Sequence, residues 1–294
     1  ASDVYKRQAL GDIIFASTPS KNYARGVASI LHRGLTADAS LYLHPAESGK
    51  GMGEIKAVAS GQLEVSISVI GLAPDTTEPG HTAFSHLGVN PIDKAIKIID
   101  ALYQLNAARN LRIKHEKIHK EVGRSTNLHI SNIVSNDEHR LSRLNETCTF
   151  GGAISFPPGE DLSQVKEEIE KTVKKVSAND DWLNANSPTI SWVSGVTGAE
   201  VPESSLFYQI VSSATKSITG KMPYVNPMHT SSDIRNPIVE ANIPCVGLGC
   251  LGGNLSQNNK VDEWIDIEDF SLMVEVTSEI IERWCSCLLY TSPS

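Results

Sequence analysis

The chain has 294 residues, of which 40% are hydrophobic and 20% charged, with a formal net charge of −8 and five cysteines. Such a length carries two domains with cores of their own, and the acidic balance argues against a nucleic-acid or membrane-surface partner, either of which calls for a basic patch. No apolar run reaches the roughly 18 residues of a bilayer span, and the odd, irregularly spaced cysteines suggest neither a disulfide framework nor a CxxC zinc site, which fits reduced thiols and a cytoplasmic location.

In chain order, Ser2 to Gln8 and Cys287 to Ser294 resemble translated adapter sequence, so residues 1–8 and 287–294 are set apart as expected non-native tails. Gly11 to Ser17 reads as a strand, and no acidic residue lies between Asp12 and Asp38. A short apolar run then ends at His44-Pro45. A neutral imidazole at such a turn is a candidate zinc ligand, the alternative being a hydrogen-bonded turn histidine.

Gly61 to Gly71 alternates without a break, with Leu63, Val65, Ile67 and Val69 on one face and Gln62, Glu64, Ser66 and Ser68 on the other. That period predicts a half-buried antiparallel strand. A Pro/Thr/Gly-rich loop with His81 and His86 follows, and Asn90 then caps a helix whose first residue is Pro91 and whose apolar stripe is Ile92, Ala95, Ile96, Ile99 and Leu102. Thr126 to Ile133 and Gly152 to Phe156 read as strands. Phe156-Pro157-Pro158-Gly159-Glu160 leads into a helix with Leu162, Val165, Ile169, Val173 and Val176 on one side, and Thr189 to Val193 reads as a last strand. The order is β-α-β-β-α-β.

Particular segments carry a family resemblance. Gly80-His81-Thr82 and Gly88-Val89-Asn90-Pro91-Ile92 are similar to a G-x-x-A-H-S-S-x-P loop followed by a G-V-N-A-I helix. Met228 to Arg235 resembles G-G-T-S-D-A-R, and Asn242 to Gly249 resembles G-I-P-T-V-x-F-G. Val261-Asp262-Glu263-Trp264 and Asp266 to Phe270 resemble the P-D-E-Y and I-E-D-L pair that opens a closing helix. Over roughly residues 9 to 285 this order resembles the M20 family of zinc-dependent peptidases and N-acyl amino acid deacylases.

The resemblance implies an α/β catalytic-type domain, incomplete here, made of residues 9–60 and 197–286 and interrupted by an α+β, ferredoxin-like lid at 61–196 that forms homodimers. In the family the H-x-D ligands and a bridging aspartate precede the segment that begins at Gly11, which makes this an N-terminally truncated fragment. Family chemistry uses two zinc ions and a shared water, with a glutamate beside a metal-binding glutamate as general base. Those two glutamates belong after Ser17, where none occurs, and the last histidine ligand falls at Asn259, with no histidine after His229.

His44 stands where the family places the acidic residue of an E-P-T turn and is the remaining metal-ligand candidate. The resemblance makes His81 the candidate catalytic residue, reaching the partner subunit's site to polarise the scissile carbonyl; a solvated loop histidine is the alternative, and His86 reads as structural. The lid asparagine falls near Ser142 and the substrate-carboxylate arginine near Ser155, so Arg235 or Arg25 is the substitute grip, unless each is a surface charge. His229, Asp233 and Arg235 form the expected substrate-binding set. The expected function is metal-dependent hydrolysis of an amide bond in small N-acyl amino acids or peptides, with this fragment inactive and not holding zinc tightly. The alternatives are a non-catalytic relative that binds a small molecule or dimerises, and an unrelated α/β domain with the same order of elements.

Overall fold

The computed structural model describes residues 11–19, 25–45, 48–135, 141–227, 232–253 and 261–287. The expected tail at 1–8, the expected tail at 287–294 beyond its first residue, and with them Lys21, Asn22, His229 and Asn259, lie outside the described residues. In chain order the elements are α1 (Arg25–His32), β1 (Ser40–Leu43), β2 (Glu54–Ile55), β3 (Val58–Ala59), β4 (Gly61–Ile70), α2 (Pro91–Arg112), α3 (Glu116–Val122), β5 (Asn127–Ser135), β6 (Thr147–Phe156), α4 (Leu162–Ala178), α5 (Asp181–Ala185), β7 (Thr189–Val196), β8 (Ala199–Glu200), α6 (Leu206–Thr219), β9 (Tyr224–Val225), α7 (Arg235–Ala241), β10 (Cys245–Leu248) and α8 (Ile267–Cys287). They cluster into two units, one of residues 60–198 and one of 1–59 with 199–294. No helix among the described residues is long and apolar enough to cross a membrane.

In the 60–198 unit, β4 is a central strand that pairs antiparallel with β6, from Gly61 opposite Phe156 to Ile70 opposite Thr147, and with β7 on its other side. β5 completes a four-stranded sheet in the order β5-β6-β4-β7. Leu63, Val65, Ile67 and Val69 are buried on one face against Ala95, Ile98 and Leu102 of α2 and Val165, Ile169 and Val173 of α4. Full burial of such a side chain stabilises by about 1.5–3 kcal/mol.

The helix starts as its cap dictates: the Asn90 carboxamide oxygen accepts from the Ile92 N–H at 3.0 Å, with Pro91 in the first turn. Its stripe differs from the expectation, because Ile96 is 50% exposed and Ile98 is buried instead. The run Ile96-Lys97-Ile98-Ile99 permits two registers. The one adopted buries Ala95, Ile98 and Leu102 at alternating three- and four-residue spacing and turns Lys94 and Lys97 onto Asp180.

Two charged clusters tie this unit together. Arg109, 1% exposed near the end of α2, donates to both Glu160 oxygens (2.9 and 2.7 Å) and to Glu168, which Arg112 also reaches. Burial raises the Glu160 pKa despite Arg109. Burial works the same way on Glu168, but Arg109 and Arg112 outweigh it and hold that carboxyl low. A buried cation without such partners would cost several kcal/mol. Asp180 accepts from Lys94 at 2.9 and 2.8 Å and from Lys97 at 2.7 Å, and it caps α5 through the Trp182 and Leu183 N–H groups.

In the other unit, β1 runs parallel to β10 with Ser40 opposite Cys245 and Leu43 opposite Leu248. β2 pairs with β9 and β3 with β8. α6 and α8 cover a core of Met52, Ile55, Phe207, Val211, Val246, Leu248, Val276 and Ile280. Gly11 to Ser17 is not a strand, contrary to expectation: a strand requires a neighbour for its backbone groups, none of the described strands pairs with it, and Ile13, Ile14 and Phe15 are 57, 55 and 86% exposed. α8 runs on to Cys287, the first residue of the expected C-terminal tail, and buries Cys285.

Asp180 sets a pH test. Burial raises its pKa, but the two lysines and the α5 N–H groups dominate and hold it well below the carboxylate range. A depressed folded pKa gives stability that is full above the unfolded value of about 3.9 and is lost as pH falls toward the folded one. Asp180→Asn is expected to lose about 1–3 kcal/mol at pH 7 and to show a flatter decline in melting temperature than wild type between about pH 5 and pH 2.5. Parallel declines in thermal melts would contradict the assignment.

Candidate functional site

The His44 turn is built by the strands beneath it. β1 delivers His44 beside β10, where its N–H donates to the Leu248 carbonyl at 3.0 Å. The next residue along is Gly249, where a Cβ would lie 1.6 Å from the His44 carbonyl oxygen, so only glycine lets the two chains approach this closely. The His44 ring stacks on Tyr42 at 5.7 Å between centroids with planes 16° apart. Its Nδ1 lies 2.9 Å from the Pro45 carbonyl oxygen. A carbonyl can only accept, so Nδ1 carries the proton and Nε2 is the basic nitrogen of the neutral ring.

Tyr42 also packs on the small cluster of Ala59, Ile234 and Cys245. The turn that precedes α7 brings Ser232, Asp233 and Arg235 into the same neighbourhood, all buried. The Arg235 Nε donates to the Ser232 carbonyl at 3.1 Å. Burial lowers the Arg235 pKa, and the charges of Asp233 and Tyr42 oppose that. Burial pushes the Cys245 thiol up to about 12, which makes it a packed side chain and not a nucleophile. Of the sequence-expected residues, His44, Asp233 and Arg235 therefore gather around Tyr42, while Arg25 is exposed at the start of α1.

His81 belongs to the 60–198 unit, at the head of the 3₁₀ turn Thr82–Leu87. Its Nδ1 accepts from the Ala83 N–H at 3.1 Å, which puts the proton of the neutral ring on Nε2. The loop is tied down at several points: the Leu144 N–H donates to the Gly80 carbonyl at 2.5 Å, Thr82 donates to Ser142 through its N–H and its Oγ1, and Arg143 Nη1 donates to the Pro79 carbonyl at 2.9 Å. Gly80 takes φ +77°, which favours glycine. His86 is exposed on the same turn. Ser142 acts through its carbonyl as an anchor of the His81 loop, and Ser155 lies in the β6 ladder with its carbonyl accepting from Thr126.

Residues 76–181 match the M20 peptidase dimerisation domain. That match covers about a third of the chain and lies within the 60–198 unit. The chain is 25% identical over 230 residues to a succinyl-diaminopimelate desuccinylase of Pelagibacter ubique, covering 78% of this chain and 53% of that protein. It is 23% identical over 287 residues to the N-formyl-4-amino-5-aminomethyl-2-methylpyrimidine deformylase of Bacillus subtilis, covering 94% and 65%. The chain thus spans about half to two thirds of the length of these curated relatives. Among solved structures, an M20 family metallo-carboxypeptidase from Sulfolobus solfataricus shares the fold with a TM-score of 0.61, 17% identity and coverage of 90% of this chain and 68% of that one.

The carboxypeptidase just named is a metalloenzyme, and a metal site here would need its own donor set. Among the described residues no three His, Cys, Asp or Glu side chains come together to hold an ion. His44 offers one nitrogen, and the Asp233 charge faces Arg235. These residues do not make up a zinc site, which needs about four ligands.

Reading the sequence alone missed Lys56, Tyr42 and Arg143. Lys56 sits in the stretch Glu54-Ile55-Lys56-Ala57, whose alternation of polar and apolar residues reads as half-exposed although all four residues are buried.

Gly249 gives a direct test of the His44 turn. Gly249→Ala must push the His44 carbonyl aside, at a cost of about 1–3 kcal/mol or more for overpacking. The expected outcome is a melting temperature lowered by several degrees and displaced His44 ring resonances; a variant with unchanged melt and His44 shifts would contradict the close approach.

Proposed function

We propose that this chain is the lid and the adjoining catalytic-type region of an M20 metal-dependent amidohydrolase that cleaves the amide bond of a small N-acyl amino acid or peptide. The observation that carries this reading is the alignment along 78% and 94% of the chain with two relatives named for removing a succinyl and a formyl group. Both names describe cleavage of an acyl group from nitrogen. In this reading zinc is the metal, the protein is cytoplasmic, and residues 60–198 pair two copies.

The chain's own residues divide the work by proton inventory. His81, with its proton on Nε2, is a donor suited to polarising a carbonyl and stabilising the oxyanion that forms from it. His44, with Nε2 unprotonated in the neutral ring, is an acceptor. Arg235 is a buried guanidinium with the fork geometry that grips a carboxylate, and Asp233 balances its charge. No step through a metal follows from these residues.

A second reading has its own observation. The absence of any acidic residue between Asp12 and Asp38 removes the expected general base, which favours a relative that binds an acylated amino acid without turning it over. The recovered full-length gene product separates the two. Hydrolysis predicts metal-dependent release of free amine from N-succinyl or N-formyl amino acids, with His81→Ala lowering kcat by about 10²–10³ and leaving KM nearly unchanged; saturable binding without amine release supports the second reading. The 294-residue chain alone is expected to release no amine above background, because general-base help of about 10²–10⁴ is missing, and to hold less than one zinc per chain after dialysis, because the described residues gather no set of the roughly four ligands zinc needs. Metal-stimulated release that vanished in His44→Ala would overturn that expectation.

A further inference from the structure

Lys56 is fully buried, at 0% exposure, in a segment where Ile55, Ala57 and Val58 are buried as well. A lysine is almost never fully buried unless its ammonium is paired. Here Nζ donates to the His44 carbonyl at 2.9 Å and to the Pro45 carbonyl at 3.1 Å. The Pro45 oxygen is the same atom that accepts from His44 Nδ1, so its two lone pairs take one proton from the ammonium and one from the ring.

The surroundings are shaped to let this happen. Lys56 and Gly247 exchange backbone hydrogen bonds at 2.7 Å in both directions, which fixes the origin of the lysine side chain. A Cβ at Gly247 would meet Lys56 Cβ at 3.0 Å and Cδ at 3.3 Å, so the glycine leaves room for the lysine stem. Two residues earlier, Glu54 is 1% exposed and accepts from Ser48 Oγ at 2.5 Å and from Asn226 Nδ2 at 3.0 Å. One short segment, from β2 to the residue just after it, thus sends a buried cation to His44 and Pro45 and a buried carboxylate to Ser48.

We propose that Lys56 is a positioning residue that sets the tautomer of His44. By holding the Pro45 carbonyl beside Nδ1, its ammonium keeps the imidazole proton there and leaves Nε2 as the nitrogen that offers a lone pair. The use made of that lone pair rests on the amidohydrolase reading; the tautomer does not.

Nitrogen-15 NMR of the whole chain with labelled histidine and lysine, at a pH where His44 is neutral, reads this directly. The wild type is expected to show His44 in the Nδ1–H form and resolved Lys56 ammonium protons shielded from exchange. Lys56→Met, with a cooperative melt confirming the fold, is expected to lose the Nδ1–H preference and move toward the Nε2–H form that unrestrained histidine favours. Lys56→Arg, which keeps buried donors, is expected to restore it. A wild-type His44 in the Nε2–H form overturns the proposal whether or not Lys56→Met folds, as does a folded Lys56→Met with an unchanged tautomer. Absence of amidase activity in the full-length gene product would bear on the functional reading and leave this result standing.

Discussion

A buried ammonium must find partners or leave the interior, and that constraint organises the half of the molecule that carries His44. Lys56 satisfies it with the carbonyls of two consecutive residues at the end of β1. β1 places these carbonyls where the ammonium can reach them by ending next to β10, whose Leu248 carbonyl receives the His44 N–H. Glycine is needed at two β10-side positions, 247 to pass the lysine stem and 249 to pass the His44 carbonyl. The ring is then held on three sides, by its backbone, by Tyr42 and by Pro45.

The 60–198 unit uses buried charge in the same way. Arg109 joins the C-terminal half of α2 to Glu160 and Glu168, and Asp180 joins the N-terminal half to the start of α5. These pairs lock the helices over an ordinary apolar sheet face, and the His81 loop is fastened separately by backbone bonds to residues 142–144. In the proposed function such preorganisation would serve His81 as an oxyanion donor, because a donor that must reorganise loses most of its electrostatic effect. Between them the two units present one histidine with an acceptor nitrogen and one with a donor nitrogen.

Periodicity made the 60–198 unit legible. The uninterrupted alternation of β4 and the stripe of α4 admit one register each, and Asn90-Pro91 marks a helix start by chemistry that no tertiary contact needs to supply. The α2 stripe was ambiguous because Ile96, Ile98 and Ile99 are adjacent, and long-range pairing of Lys94 and Lys97 with Asp180 decided it. Lys56 was illegible for a related reason: polar residues alternating with apolar ones suggest a half-exposed strand, yet Glu54, Ile55, Lys56 and Ala57 are all buried. The tautomers of His44 and His81 depend on which backbone group each Nδ1 meets, which no spacing in the sequence encodes. Gly11 to Ser17 has the composition of a strand, and composition alone does not provide a pairing partner.

The proposed function requires residues 60–198 to fold on their own and to pair two copies. Light scattering on that unit expressed alone, alongside its thermal melt, tests it most directly. A cooperative melt and a mass twice that of the single unit are predicted, since among the described strands β5 and β7 are the outer strands of the sheet and offer edges to a second copy. A strictly monomeric species at high concentration, or one without a cooperative transition, would contradict the account.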